Sequence, residues 1–179
     1  MKKIFIDGGA RTGESLEIIR RYMPEYLDHD FVFYEPNPNY ISDLSKICKE
    51  NPNYKYVEGA IWNKNSNSDF YIAIDVYGDV GSTLHINKHE NLDRENPLNV
   101  RTFDIVDIVN DFDEEDYVVL KLDVEGSEYD IVKRLIESGN AHKINEYLIE
   151  WHDQFYDGKN RFELIEKIQL VSKYKDWCY

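Results

Sequence analysis

Short apolar runs alternate with amphipathic helical stretches along this chain, and that alternation is what most restricts its fold. Residues 4–6 (IFI) read as a first strand, after which Leu16, Ile18, Ile19 and Tyr22 share one face of a helix that Pro24 limits. Residues 31–34 (FVFY) read as a second strand, and Ile41, Leu44, Ile47 and Cys48 stripe a second helix that stops near Asn51 and Pro52. Residues 54–57 give a third strand. Such strand–helix–strand units predict a mostly parallel sheet with helices on both faces, a Rossmann-like α/β fold. The pattern returns at residues 117–123 (YVVLKLD), apolar almost throughout and so expected near the sheet centre, covered on both faces. Ser127 is placed to N-cap the next helix, with Ile131, Val132, Leu135 and Ile136 facing the core and Gly139 at its end. Residues 147–149 give a fifth strand, and 161–174 read as a last helix.

The middle of the chain is less regular. Residues 69–74 read as a strand, 77–82 as a loop and 85–99 as a polar, mobile surface segment. Residues 100–103 read as an edge strand, with Asp104 capping a helix to Val109, and 111–116 as a solvated acidic loop. With 179 residues and no repeat or linker, a single domain over 1–179 is expected.

The net charge of −14 argues against nonspecific binding to nucleic acid or to an anionic membrane, which needs clustered Lys and Arg. No apolar run approaches the ~20 residues of a membrane span. Met1-Lys2-Lys3 leads into a very short strand with Asp7 behind it, unlike a signal peptide, so a cytoplasmic location is expected. Cys48 and Cys178 lie far apart without metal-ligand spacing, which fits a reducing compartment.

The first strand ends at Asp7 and turns through Gly8-Gly9-Ala10-Arg11-Thr12-Gly13 into a helix. Glycines there let backbone N–H groups approach a ligand, and the helix N-terminus favours anionic groups. The turn lacks the G-x-G-x-x-G spacing and the P-loop lysine, which weighs against a dinucleotide or a triphosphate. Asp7 would repel phosphate and suit a ligand's ammonium group. In an open parallel sheet, ligands bind beyond the C-terminal strand ends. Those ends carry Asp7, Glu35, Glu58-Gly59-Ala60, Asp123-Val124-Glu125-Gly126 and Glu150-Trp151-His152. A carboxylate at Glu35 can accept both hydroxyls of a ribose. Together these features imply a nucleoside ligand with no demanding phosphate site, a description that S-adenosylmethionine fits better than NAD or ATP.

The segments IDGGARTGES, YEPNP, EGAIW, LKLDVEGSEYDIVKRL and LIEWH, in this order over residues 4–152, resemble the successive motifs of the FkbM-type S-adenosylmethionine-dependent methyltransferases. LKLDVEGSE is the most specific of them. The resemblance implies a class I methyltransferase fold and methyl transfer to oxygen, commonly on a sugar or other hydroxyl compound. It places Asp7, Gly8, Gly9, Ala10 and Gly13 around the methionine part of the cofactor, Glu35 on the ribose, and Pro36 and Asn37 beside the adenosine. Glu58, Gly59, Ala60 and Ile61 would flank the adenine, and Asp123, Glu125, Glu150 and His152 would face the reacting end. The sequence departs from the family pattern at Arg11, whose role is open. It also lacks clear room for a C-terminal hairpin, so the sheet is expected to be shortened, with an edge that a homodimer could cover. Residues 76–99 are the best candidate for a lid over the substrate.

A hydroxyl acceptor must lose its proton, and His152, at an ordinary pKa of about 6.5, is the natural base, with Asp123 orienting it or accepting the proton itself. Asp123, Glu125, Glu150 and His152 could instead hold Mg²⁺ or Mn²⁺, an arrangement not favoured here because strand-end acids often serve other roles. Lys121 shares a strand face with Asp123 and is expected to ion-pair with one of the acids. His29, His85, His89 and His142 are expected at the surface, and residues 174–179 to cover a sheet edge or a contact between chains. The expected partner is a small-molecule or glycan hydroxyl substrate, with no nucleic acid or membrane. A cofactor-binding module without turnover, or another nucleotide- or nucleotide-sugar-binding α/β enzyme, would share many of these features.

Overall fold

The computed structural model describes residues 1–74, 78–88, 91–153 and 161–178. Its main sheet has six parallel strands in the order β3-β2-β1-β7-β8-β9: β1 (Lys3–Gly8), β2 (Asp30–Glu35), β3 (Lys55–Glu58), β7 (Tyr117–Leu122), β8 (Glu146–Ile149) and β9 (Lys173–Asp176). A second, three-stranded sheet has the order β4-β6-β5, from β4 (Ala60–Trp62), β5 (Ser66–Phe70) and β6 (Leu98–Asp104). The helices are α1 (Ser15–Tyr22), α2 (Ile41–Glu50), α3 (Ile105–Asn110), α4 (Glu128–Glu137) and α5 (Arg161–Gln169).

Strand alternation sorts the core into two layers. Phe5, Phe31, Phe33, Val119 and Leu148 point to the side covered by α1 and α2, where they pack with Leu16, Ile19 and Leu44. Ile4, Ile6, Leu120, Leu122 and Tyr147 point to the other side, against Val109, Ile131, Leu135 and Ile168 of α3, α4 and α5. The chain leaves β1 toward β2 and β3 on one side, and runs from β7 to β8 and β9 on the other. The crevice at that reversal, beyond the ends of β1, β2 and β7, is where such sheets bind ligands.

Several sequence expectations are corrected. The last helix stops at Gln169, and residues 173–176 form β9, the outer strand of the main sheet. β6 is the centre of the second sheet rather than an edge. β5 begins at Ser66 and ends at Phe70, and among the described residues isolated bridges at Tyr71 and Ala73 follow it. Asp104 does cap α3, accepting the Val106 N–H at 2.9 Å. Ser127 stands at the start of α4, but its side chain makes no capping bond. The segment expected to be mobile over 85–99 buries Lys88 and Leu92 against the body of the protein. His29 is buried, His85 hydrogen-bonds Ser127, His142 is exposed, and His89 lies outside the described residues. The outer strands carry Lys55, Lys173 and Lys175, charges of the kind that discourage pairing at a sheet edge.

Two glycines are needed by the protein's own packing. At Gly59, where the chain leaves β3 for the second sheet, a Cβ would sit 2.6 Å from the Arg101 carbonyl oxygen and from the Phe103 ring. At Gly9, with φ of +77°, a Cβ would lie 1.9 Å from the Asp123 carbonyl oxygen. Gly9→Ala is therefore expected to lower stability by at least ~2 kcal/mol. The check is its urea midpoint, and a midpoint equal to that of the unaltered protein would contradict this packing.

Candidate active site

A cleft of about 750 Å³, open to solvent, lies beyond the ends of β1, β2 and β7. Glu35, Pro36 and Asn37 form one wall, Ala60, Ile61 and Phe70 an apolar side, and Asp123, Val124 and Glu125 the far end. Val80, Gly81, Ser82 and Leu84, from the segment that follows β5, also line it.

Glu35 is 6% exposed. One carboxylate oxygen accepts the Asn37 N–H at 2.7 Å and the other accepts the Arg11 N–H at 2.9 Å. Each oxygen keeps further acceptor capacity. Burial raises this carboxyl to about 7, against the two backbone hydrogen bonds that favour its charge. Arg11 owes its place to this contact: its left-handed φ of +48° turns its N–H toward Glu35, while its Nε donates to the Tyr40 hydroxyl at 3.1 Å.

Asp7 does not line the cleft. Its strand register sets it opposite Lys121, and the Lys121 Nζ sits 3.0 Å from one carboxylate oxygen while the Ser15 hydroxyl bonds the other. Asp7 is fully buried and holds Lys121, so its carboxylate is engaged within the protein, away from the cleft where a ligand's ammonium was expected to meet it. Lys121 also lies 3.6 Å from Asp123 and donates to the Gly9 carbonyl at 2.9 Å. Burial alone would depress its ammonium, and the charges of Asp7 and Asp123 outweigh that and hold it above the ordinary lysine value. The expected ion pair of Lys121 with a strand-end acid is thus present twice.

The residues expected at the reacting end gather at the ends of β7 and β8. His152 Nδ1 lies 3.0 Å from Glu128, and its Nε2 lies 3.2 Å from Glu125 and 4.0 Å from Asp123. Burial would lower this imidazole, but the Glu128 hydrogen bond and the charges of Glu128, Glu125 and Asp123 raise it to about 9. A pKa raised that far favours the charged ring at neutral pH, packed against Glu125 and Asp123. The sequence alone puts this ring at its ordinary pKa; in the structure the surrounding carboxylates raise it. Asp123 is the more open carboxylate, with a side chain 30% exposed against 22% for Glu125. It lines both this cleft and a neighbouring one with Gly9, Ala10, Lys121, Glu150 and Trp177. Glu150 faces that second cleft, and burial followed by the Asp123 charge raises its carboxyl.

Of the other residues expected here, Gly9, Glu35, Pro36, Asn37, Ala60 and Ile61 line the cleft. Glu58 and Gly59 open onto a separate groove with Leu98 and Arg101, and Gly13 is buried beside Leu44 and Ile47. Gly8 lies within β1, where a Cβ would crowd Leu122 and the Lys121 carbonyl. Asp123, Glu125 and His152 offer atoms within 4.8 Å of one another, a spacing that also suits a cation. Here the cation beside Glu125 is the Lys88 ammonium.

The described part of the expected lid crosses the cleft mouth and is fastened on both sides. Asp79 accepts from the Asn37 amide at 2.7 Å, the Asn39 amide at 3.1 Å and the Tyr40 hydroxyl. Across the cleft, the Thr83 hydroxyl donates to the Glu125 carbonyl at 2.8 Å, and Lys88 pairs with the Glu125 carboxylate. Tyr40, Asp79, Lys88 and Glu128 did not stand out in the sequence. Glu128 alone had a signal, its place within the DVEGSE run.

A family model of the methyltransferase FkbM domain matches residues 7–175. Among solved structures, the crystal structure of methyltransferase FkbM from Methylobacillus flagellatus KT superposes with a TM-score of 0.56 at 16% identity. The match covers 96% of this chain and 38% of that one, so this chain spans well under half of that protein, and at such identity the likeness speaks for the fold. No curated protein matches the sequence. Among the described residues, no helix is long and apolar enough to cross a membrane. With the family model covering nearly the whole sequence and the sheet superposing on a solved member, this chain belongs to the FkbM methyltransferase family.

Proposed function

We propose that this domain transfers a methyl group from S-adenosylmethionine to a hydroxyl oxygen of a sugar or other small molecule. The observation that carries this reading is one cleft lined by the buried carboxylate Glu35 on one side and by Asp123 and Glu125 on the other, with His152 against both of those acids. The donor set fits the cofactor. Glu35 keeps acceptor capacity for two ribose hydroxyls, and Ala60, Ile61, Phe70 and Leu84 give an apolar slot for a planar base. When bound, the cofactor supplies a methyl group on a positively charged sulfur.

The chain's own residues do the rest. Carboxylates at the far end of the cleft favour a positive charge there. Asp123, lining both clefts, is placed to orient the acceptor hydroxyl and to take its proton as the new C–O bond forms. His152, protonated behind it, keeps Asp123 and Glu125 from repelling one another. Residues 79–84 line the cleft and are held at Asn37 on one side and Glu125 on the other. The acidic surface, at a net charge of −14, supports a small acceptor over a nucleic acid.

The test is transfer of a labelled methyl group to a panel of sugars and small hydroxyl compounds, followed across pH. The His152 proton is held below about 9, so the arrangement is intact at neutral pH and lost as pH rises through about 9. Turnover is expected to be level from about pH 7.5 to 8.5 and to fall above 9. A rate that climbs steadily toward pH 9 would instead make neutral His152 the base and contradict the role given to Asp123.

A further inference from the structure

Glu128 opens α4, where an acidic side chain would ordinarily face solvent and complement the helix dipole. Here it is fully buried and folds back under the preceding turn. One oxygen accepts the Val124 N–H at 2.8 Å and meets His152 Nδ1 at 3.0 Å, while the other accepts the Gly126 N–H at 2.9 Å. The turn it supports is strained: Glu125, which has a side chain, adopts φ of +55°, and Gly126 follows at +107°. Left-handed backbone at a residue other than glycine costs about 1 kcal/mol or more and persists only where the surroundings impose it.

We infer that Glu128 is a positioning residue of the reacting end: its single carboxylate both holds the strained turn that presents Asp123 and Glu125 and anchors the His152 ring behind them. This rests on the methyl-transfer reading for its consequence in turnover, though not for the pairing itself. Two donors come from the turn and one from the end of β8, so the carboxylate ties the two strand ends together, alongside the direct approach of His152 Nε2 to Glu125 at 3.2 Å. The charge matters as much as the shape. His152 is faced by Glu128 from α4, by Asp123 and Glu125 from the turn, and by Glu150 from its own strand end. Lys88, from the segment over the cleft, is paired to Glu125. A glutamine at 128 would keep the volume, remove the charge, and set an amide N–H₂ against one of the turn's N–H donors.

The test is Glu128→Gln, compared with the unaltered protein by turnover and by two-bond ¹H–¹⁵N spectra of the histidine side chains, with His152 assigned through His152→Gln. The expected result is a roughly 100-fold lower kcat with KM for the cofactor within about threefold. The His152 midpoint should also fall by at least about one pH unit, as for an imidazolium that loses an adjacent carboxylate. The alkaline limb of the rate profile should move down with it. A residue that only stabilised the fold would leave that midpoint and limb in place once activity is corrected for the folded fraction, and that result would overturn the proposal. If Glu128→Gln does not fold, the unaltered protein decides: a His152 ring that is neutral at pH 7.5 overturns the pairing, and a charged one supports it. Because the ring spectra need no substrate, a failed methyl-transfer reading would show as correct spectra without turnover.

Discussion

Asp123→Asn is expected to lower methyl transfer by roughly 10²–10⁴-fold, the range for loss of a positioned proton acceptor, while S-adenosylhomocysteine binds with little change. The two effects separate because the residues that would hold the nucleoside lie at the other end of the cleft, at Glu35, Asn37 and Ile61. Asparagine keeps the size of the side chain and a hydrogen-bonding oxygen, so the Lys121 ammonium, 3.6 Å away, retains a polar neighbour. Steady-state rates beside calorimetric affinities make the comparison. Turnover within threefold of the unaltered enzyme would move proton transfer to another group.

Lys121→Met is expected to have the largest effect on stability. Lys121 is 3% exposed and sits beneath the first turn, tied to Asp7, Asp123 and the carbonyls of Gly8 and Gly9. Methionine fills much of the same space, so the cost comes from Asp7, left as a buried, unpaired charge. Breaking a buried pair from one side costs about 3–5 kcal/mol. Asp7→Asn combined with Lys121→Met removes both charges and should recover a good part of that loss. Denaturant midpoints of the two single variants and the double variant form the cycle, and strict additivity of the two losses would show that the pair is not coupled.

The sequence made the architecture legible because most long apolar runs end in an acid and are followed by a helical stripe. Glu35 and Asp123 could be placed at the cleft from that pattern alone. Asp7 could not. Its meaning depends on a parallel register with Lys121, and no local pattern reports which strands become neighbours. β9 was unreadable for a different reason: its four residues, KYKD, carry two lysines, and only Tyr174 turns inward toward the core. The fastening of the cleft by Asp79 and Lys88 joins residues about 40 positions apart through single side chains, which leave no periodic trace. The family resemblance pointed to Asp123, Glu125, Glu150 and His152, residues that the fold brings together at the ends of β7 and β8. What it could not supply was the charge state of His152, which follows from three carboxylates that fold around it from α4 and the turn before it.

The central claim, that the cleft between Glu35 and Asp123 binds S-adenosylmethionine, is tested most directly by isothermal titration calorimetry. The purified protein and Glu35→Ala would each be titrated with S-adenosylmethionine and S-adenosylhomocysteine. The account predicts affinities on the order of 1–100 μM for the unaltered protein and at least about tenfold weaker binding in the variant, the loss of a hydrogen-bonded charged acceptor. Because Glu35 must be ionised to accept both hydroxyls, and its carboxyl is raised to about 7, affinity should also fall as pH drops below 7. No binding of either compound by folded protein, or equal affinity in Glu35→Ala, would contradict it.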